Sequence, residues 1–367
     1  MTGIIGYAIV KEGRINQEVF QATAVRISLR GSPMFLWFQF LLCASLIIVS
    51  GTKLSKYGDI IAEKTGMGKA WVGLILMASI TSLPELMTGI SSVTVANVPN
   101  IAVGNLVGAC VFNLLILALL DPMDKSSPIF SKIGQSHLLS GGFGLLLLGV
   151  VAVSIVLNNL IPSVWHIGLY TPAIVLTYVI GIRLVYLYEK RMLKQLVTDD
   201  RTHIYDGISF KKAIVMYAVN ALVIIVVATA LPFVAERISA ATGLGNNFMG
   251  TLFVAGATTL PELVVSISAM RMGAPDLAIG NLLGSNMFNL GLIALDDILF
   301  TRGPLLSHVS TSHAVTALMA ILMTAIALIG ITFKHEKKAF LRFGWDSLAM
   351  LALGLLNAYF VFLMRGR

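Results

Sequence analysis

The stretch Ala78-Ser-Ile-Thr-Ser-Leu-Pro-Glu85-Leu recurs later in the chain as Ala255-Gly-Ala-Thr-Thr-Leu-Pro-Glu262-Leu. Each copy places a glutamate and a helix-breaking proline inside a long apolar run. An ionisable residue at membrane depth is energetically unfavourable, so its presence there indicates a functional site. The duplicated stretch therefore predicts a membrane protein with a site built from both copies.

The composition agrees with a multi-pass integral membrane protein. Of the 367 residues, 57% are hydrophobic and only 12% are charged, whereas a soluble domain is roughly a quarter charged. The net charge of +8 comes from short basic clusters between apolar runs, which argues against nucleic-acid binding. Both cysteines lie in apolar runs, so no disulfide framework or metal–thiolate site is expected. The absence of a nucleophile–base pair, a nucleotide loop and a Cys/His cluster argues against an enzyme.

Apolar runs long enough to span a bilayer predict ten helices. The runs are residues 35–52, 70–96, 101–120, 137–157, 166–188, 213–235, 247–270, 277–300, 310–333 and 345–363. They divide the chain into an N-terminal arm or interfacial helix (1–32), a first five-helix repeat (33–188), a linker (189–212) and a second five-helix repeat (213–367). The first helix is expected to serve as its own insertion signal.

Basic residues predict the orientation of the helices. Lysine and arginine concentrate in the loops after odd-numbered spans, whereas the loops after even-numbered spans hold only Arg237 and Arg302. This distribution predicts a cytoplasmic linker and both termini outside, although the basic N-terminal arm argues mildly against it. The expected location is a prokaryotic plasma membrane.

A second pair of segments extends the repeat. Pro99-Asn-Ile-Ala-Val-Gly-Asn-Leu-Val-Gly-Ala-Cys-Val-Phe-Asn113 matches Pro275-Asp-Leu-Ala-Ile-Gly-Asn-Leu-Leu-Gly-Ser-Asn-Met-Phe-Asn289. Because each repeat holds an odd number of spans, the second copy must enter the membrane from the opposite side. The predicted fold is therefore an all-α polytopic membrane protein of ten transmembrane helices in two inverted five-helix repeats. This architecture is typical of secondary transporters, which bind their substrate where the copies meet.

The repeated segments offer hard oxygen donors. On a helix, the spacing i, i+3, i+4, i+7 puts one stripe of residues on one face, namely Ala78, Thr81, Ser82 and Glu85 in the first copy and Ala255, Thr258, Thr259 and Glu262 in the second. Pro84 and Pro261 each free a backbone carbonyl in the preceding turn. Carboxylate, hydroxyl and carbonyl oxygens suit Ca²⁺, and no His or Cys stands on either stripe to favour zinc or copper. Proline kinks are often purely structural, but two matching glutamates favour a site.

The second pair of segments adds further polar positions. Ser285 and Asn289 lie on a helix face that could meet Glu262, and the first repeat has Ala109 and Asn113 there. For the remaining polar residues we favour structural roles. Asn105 and Asn281 either ligate the cation or hydrogen-bond freed backbone groups, and the structural role is slightly favoured. Helix capping is expected for Asn100 and Asp276, and solvated helix ends for Asp121 and Asp297.

These motifs resemble those of the cation/calcium antiporter superfamily, specifically its sodium/calcium exchanger branch. The resemblance rests on the paired T-S/T-L-P-E-L and G-N-L-x-G-x-x-x-F-N segments and covers about residues 36–365. It implies cation sites between the second, third, seventh and eighth helices. The implied ligands are Glu85, Glu262, Thr81, Ser82, Thr258, Thr259, Ser285, Asn113 and Asn289, with the backbone carbonyls of Ala78 and Ala255; Glu85, Glu262, Thr81 and Thr258 are the expected metal ligands.

The chain departs from the family pattern at Ala109 and Cys110, where relatives commonly have serine followed by asparagine. The leading hypothesis is exchange of Ca²⁺ for Na⁺ through one shared site, without a cofactor. A Ca²⁺ or other divalent cation/H⁺ antiporter is the nearest alternative, and a cation channel or non-transporting sensor is a remote one. The expected partners are these ions and the lipid bilayer, and a monomer is expected.

Overall fold

The computed structural model describes residues 33–65, 81–124, 127–131, 133–134, 136–157, 160–195, 208–271, 273, 275–334, 338–339 and 342–365. These residues are almost entirely helical. The helices are α1 (Pro33–Thr65), α2 (Leu83–Ser91), α3 (Pro99–Leu120), α4 (Ser136–Val156), α5 (Tyr170–Gln195), α6 (Phe210–Thr242), α7 (Asn246–Thr258), α8 (Leu260–Arg271), α9 (Pro275–Leu299), α10 (Ser312–Phe333) and α11 (Trp345–Leu363). A short antiparallel hairpin, β1 (Ser163–Val164) and β2 (Ile167–Gly168), precedes α5.

Eight of the described helices are long and apolar enough to cross a bilayer, and α7 with α8 makes a ninth, bent by 41°. The tenth predicted span, residues 70–96, is described only from Thr81 onward, where it contains α2 and a following π-helical turn, Ser92–Ala96. The N-terminal arm and residues 196–207 of the linker lie outside the described residues.

Several predicted helix boundaries are wrong because helices continue past their apolar portions. The first span was expected at 35–52, but α1 runs to Thr65 through charged residues such as Lys53 and Lys56. Helix α5 extends to Gln195, into the predicted linker, and α6 begins at Phe210, before the linker's predicted end. The start of α6 is set by Ser209, whose hydroxyl accepts a hydrogen bond from the N–H of Lys212 at 3.3 Å.

Both repeated segments break their helix at the same place. Ser82 and Thr259 leave helical geometry, with ψ of 13° and 0°, and a new helix starts at the following Leu-Pro-Glu. Proline has no N–H to continue the preceding helix but is well suited to the first turn of the next one. Each glutamate therefore lies in the first turn of a helix, just after a break.

The long helices α1 and α6 pack along each other in opposite directions. Near the start of α1, Leu36 clusters with Ile238, which lies near the end of α6. Further along α1, Leu54 packs on Ile224 and Ala228, which lie nearer the start of α6. Helix α1 also crosses α8, where Gly51 lies against the ring of Pro261. An antiparallel pair of first helices is the arrangement that inverted repeats predict.

Two matching aspartates tie the halves together, and here the sequence-based prediction was wrong. Asp121 and Asp297 were expected at solvated helix ends, but both are fully buried. Each accepts from a backbone N–H eight residues later, that of Ile129 at 2.8 Å and that of Leu305 at 2.6 Å. Each also accepts from the N–H of a glycine in the opposite half, Gly344 for Asp121 and Gly168 for Asp297. The loops fold back over the helix ends and exclude water from both carboxylates.

The expected capping by Asn100 and Asp276 is also wrong, because both side chains reach across to the other half. Asn100 Oδ1 accepts from the N–H of Ser310 at 2.7 Å, and Asp276 Oδ1 accepts from the N–H of Gly134 at 2.9 Å. A histidine also contacts each of these oxygens. His313 Nε2 lies 3.1 Å from Oδ1 of Asn100, and His137 Nε2 lies 3.2 Å from Oδ1 of Asp276. Equivalent residues of the two halves thus make equivalent contacts with the opposite half, which indicates an approximate two-fold relation between the halves.

Helices α3 and α9 form the centre of the molecule, and α1, α5, α6 and α11 surround them with exposed apolar side chains. Gly104 and Gly108 of α3 allow close approach to α7. A Cβ at Gly108 would lie 2.8 Å from Cβ of Ala255, and one at Gly104 would lie 3.0 Å from the backbone N of Thr251. These two small residues bring α3 against the segment that leads to Glu262.

Candidate functional site

Glu85 and Glu262 lie at the centre of the molecule and come from opposite halves. Both are fully buried, and their carboxylates interact electrostatically. Ser82 of the first half donates its hydroxyl to Oε1 of Glu262 at 3.2 Å. The two repeated segments thus meet at one place, as the inverted-repeat prediction requires.

The surroundings of Glu262 are rich in hydroxyl groups. Thr81 Oγ1 lies 3.5 Å from Ser285 Oγ and donates to Oδ1 of Asn281 at 3.4 Å. Ser82 and Glu262 complete this cluster. Since the hydroxyls of Thr81 and Ser285 also interact with the carboxylate of Glu262, four predicted site residues, Thr81, Ser82, Ser285 and Glu262, are connected.

The surroundings of Glu85 are poorer in donors. Thr258 Oγ1 donates to Oδ1 of Asn105 at 2.9 Å and contacts the carbonyl of Ala255 at 3.2 Å. Thr259 Oγ1 donates to the same carbonyl at 2.7 Å. Among the described residues, neither oxygen of Glu85 has a hydrogen-bond partner. The carbonyl of Ala255 is occupied by these hydroxyls here, and its counterpart Ala78 lies outside the described residues.

The two predicted amides differ because the residues that face them differ. Asn113 donates Nδ2 to Oδ1 of Asn286 at 2.9 Å, which leaves its own Oδ1 without a partner in the described part of the chain. Cys110 stands in the first half where Asn286 stands in the second. Both polar atoms of Asn289 are buried and unpartnered within the described residues. Asn113 is thus held in place, whereas Asn289 has a free oxygen and a free amide nitrogen.

Sequence reasoning missed the positioning role of three asparagines. Asn105 and Asn281 were expected to bond freed backbone groups, but they accept from the site hydroxyls of Thr258 and Thr81 instead. Asn286 holds Asn113 and also donates to the carbonyl of Cys110 at 3.3 Å. The repeated asparagine in each G-N-L segment was the available signal for the first two.

No cationic side chain in the described part of the chain pairs with the carboxylates of the site. In the described ranges, the ion pairs are His137 with Asp276 and Lys338 with Asp121, and neither involves Glu85 or Glu262. Two buried carboxylates at close range cannot both stay ionised without compensation. The arrangement therefore suits one or more bound cations or protons, and its oxygen donors match the ligand preference of Ca²⁺ and Na⁺ rather than of soft metals.

Known proteins with similar sequences are membrane proteins, and one of them is named as a sodium/calcium exchanger. The family model described as sodium/calcium exchanger protein matches residues 35–189 and 212–365. Sodium/calcium exchanger MaX1 of Methanosarcina acetivorans is 27% identical over 294 residues, covering 70% of this chain and 81% of that protein. Inner membrane protein YrbG of Escherichia coli is 26% identical over 264 residues, covering 70% of this chain and 78% of that protein.

Solved structures show the same fold. The sodium-calcium exchanger NCX_Mj, soaked with 10 mM Na⁺ and zero Ca²⁺, matches with a TM-score of 0.59 at 20% identity, covering 89% of this chain and 99% of that one. The family match spans both halves and leaves out most of the linker. The resemblance inferred from the repeated motifs is thereby confirmed, and it is a resemblance to transporters rather than to enzymes. The chain belongs to the sodium/calcium exchanger protein family.

Proposed function

We propose that this protein exchanges Ca²⁺ for Na⁺ across a prokaryotic plasma membrane through a single site between its two halves. The observation that carries the proposal is the pair Glu85 and Glu262, fully buried, contributed by opposite halves and without a cationic partner among the described residues. One Ca²⁺ or a set of Na⁺ ions neutralises the pair. The proposed ligands are the site residues predicted from the sequence, with Asn113 and Asn289 among them.

Obligatory exchange follows from the charge of the site. When no cation is bound, two buried carboxylates are uncompensated, and occluding them in an apolar environment is strongly unfavourable. The empty carrier therefore does not switch between its inward-open and outward-open states, whereas a loaded carrier does. This difference is sufficient to couple the transport of Ca²⁺ in one direction to the transport of Na⁺ in the other.

Alternating access is assigned to α1 and α6 moving across the site. Helix α1 crosses α8 with Gly51 against Pro261, next to Glu262. Helix α6 contacts α2, where Thr88 Oγ1 donates to the carbonyl of Ala228 at 3.3 Å and Ser91 Oγ donates to that of Thr229 at 2.7 Å. Since α1 and α6 also pack along each other, movement of the pair would change access from both sides together.

The proposal is tested with purified protein in proteoliposomes. We expect an outward-directed Na⁺ gradient to drive uptake of ⁴⁵Ca²⁺, and we expect Glu85→Gln and Glu262→Gln each to abolish it. Glu236→Gln is the matched control, because it makes the same change at a partly exposed carboxylate of α6 outside the site. Uptake that survives in both site variants would contradict the assignment.

One observation favours the second candidate function, exchange of a divalent cation for H⁺. Ala109 removes a hydroxyl from the first half, and Glu85 has no hydrogen-bond donor among the described residues. A site with fewer Na⁺ ligands could carry protons on the same glutamates. Replacing the Na⁺ gradient with a proton gradient, and then with a K⁺ gradient, decides between the two. Uncoupled flux under every gradient would instead indicate a channel.

A further inference from the structure

Another buried carboxylate, that of Asp296, lies outside the site described above. It belongs to α9, seven residues beyond Asn289, which is about 10 Å along a helix axis. Its side chain is 1% exposed, and Oδ2 has no hydrogen-bond partner within the described residues. The two ion pairs in the described ranges do not include it. The equivalent position in the first half is Leu120, so the approximate symmetry of the fold does not require a carboxylate here.

Asp296 borders a space that exists because residue 89 is glycine. A Cβ placed on Gly89 would lie 2.6 Å from Oδ2 and 3.0 Å from Oδ1 of Asp296. The equivalent residue in the second half is Ser266, whose hydroxyl accepts from Nδ2 of Asn281 at 3.4 Å. Gly89 therefore removes a hydroxyl from the first half, and the carboxylate of Asp296 borders the space left behind.

Two further polar atoms near Gly89 are left without partners by this exchange. Asn105 is the counterpart of Asn281, and its Oδ1 accepts from Thr258 as that of Asn281 accepts from Thr81. Its Nδ2 is buried and unpartnered among the described residues, since no hydroxyl stands at residue 89. Ser92, three residues after Gly89, is fully buried, and its Oγ is also unpartnered there.

The side chains around Gly89 thus offer two kinds of oxygen ligand and one N–H donor. Buried polar groups are normally hydrogen-bonded, and a buried uncompensated charge is strongly unfavourable. Asp296 borders Gly89, Ser92 follows Gly89 by about one helical turn, and the approximate symmetry with the contact of Asn281 and Ser266 directs Asn105 towards residue 89. Three unpartnered groups related in this way indicate an occupant. A divalent cation would leave a surplus positive charge beside a single carboxylate, whereas a monovalent one gives neutrality.

We propose that the space at Gly89 is a second cation-binding position, in which Asp296 and Ser92 hold one monovalent cation, either Na⁺ or a proton on Asp296. A water molecule bridging to Nδ2 of Asn105 completes the arrangement. Because Asn105 is hydrogen-bonded to Thr258, this position is connected to the exchange site without sharing its carboxylates. The proposal goes beyond the proposed function and does not depend on which ions are exchanged.

The test uses full-length protein in which the exchange site has been neutralised, Glu85→Gln/Glu262→Gln, compared with the same protein carrying Asp296→Asn. Thermal unfolding is measured as Na⁺ replaces N-methylglucamine at constant ionic strength. If Na⁺ is the occupant, we expect it to raise Tm by about 2 °C or more in the first protein and not in the second. Infrared difference spectra detect a proton on the carboxyl group. If a proton is the occupant, we expect a carboxylic-acid C=O band that disappears with Asp296→Asn and does not respond to Na⁺.

Either signal supports the site and identifies its occupant, whereas identical Na⁺ responses and identical carboxyl bands in the two proteins overturn it. Gly89→Ala in the neutralised background tests the geometry, because it displaces the carboxylate without removing it. We expect the Na⁺ response or the C=O band to change in this variant but not in Gly149→Ala, where an added Cβ meets nothing within 4 Å. Failure of Ca²⁺ exchange in the wild-type protein would contradict the proposed function and leave this result untouched.

Discussion

At the scale of single residues, the two carboxylates of the site have unequal surroundings. Glu262 accepts a hydrogen bond from Ser82 and lies in a cluster with Thr81 and Ser285. Neither oxygen of Glu85 has a hydrogen-bond partner among the described residues, because Thr258 directs its hydroxyl to Asn105 and Thr259 directs its hydroxyl to the carbonyl of Ala255. Both repeated segments break at the same place, so this inequality comes from side chains. Thr259 stands where the first half has Ser82, and Ala109 stands where the second half has Ser285.

Restoring the missing hydroxyl should strengthen Na⁺ binding. In Ala109→Ser we expect an apparent Na⁺ affinity about fivefold higher, since one added polar interaction contributes about 1 kcal/mol. The measurement is the Na⁺ concentration that gives half-maximal Ca²⁺ exchange. Ala118→Ser is the control, because it makes the same change at a buried position of the same helix away from the site. An unchanged Na⁺ dependence in Ala109→Ser would contradict the role given to this position.

Residue identity alone predicted which side chains would meet, but not how each is held. The stripe spacing placed Thr81, Ser82 and Glu85 on one face, and the structure brings Thr81 and Ser82 together with Glu262. Asp121 and Asp297 were misassigned because their burial depends on loops that fold back over them. Nothing in the local sequence shows that a backbone N–H eight residues later will reach the carboxylate.

At the scale of helices, two breaks and one close contact position the site. The breaks at Ser82 and Thr259 follow from the prolines and were predictable from the sequence. The close contact is between α3 and α7, where Gly108 lies against Thr251 and Ala255. The ends of α1, α5 and α6 were not predictable from hydropathy, since these helices continue through polar and charged residues beyond their apolar portions.

Filling the contact between α3 and α7 should destabilise the protein. A Cβ at Gly108 would lie 2.8 Å from Cβ of Ala255 and 3.0 Å from the carbonyl carbon of Thr251, so Gly108→Ala must push the helices apart. We expect a loss of about 1–3 kcal/mol, seen as a lower Tm in detergent. Gly149→Ala, with open space around it, should instead be neutral or stabilising by about 0.5–1 kcal/mol. Equal Tm values for the two variants would show that the helices are not in close contact.

At the scale of the whole molecule, the two halves exchange equivalent contacts. Asn100 and Asp276 each reach the other half, and Asp121 and Asp297 each bind a glycine of the other half. An odd number of spans in each repeat predicted the inversion, and the antiparallel α1 and α6 agree with it. The orientation in the membrane stays a prediction, because it rests on the distribution of Lys and Arg alone.

The central claim is that the protein switches between its inward-open and outward-open states only when a cation occupies the shared carboxylate site. The most direct measurement is efflux of ⁴⁵Ca²⁺ from loaded proteoliposomes into medium that contains Na⁺, unlabelled Ca²⁺ or neither ion. We predict rapid efflux into the Na⁺ and Ca²⁺ media and almost none into the ion-free medium, since the unoccupied site cannot return. Efflux at the same rate into all three media would contradict the account.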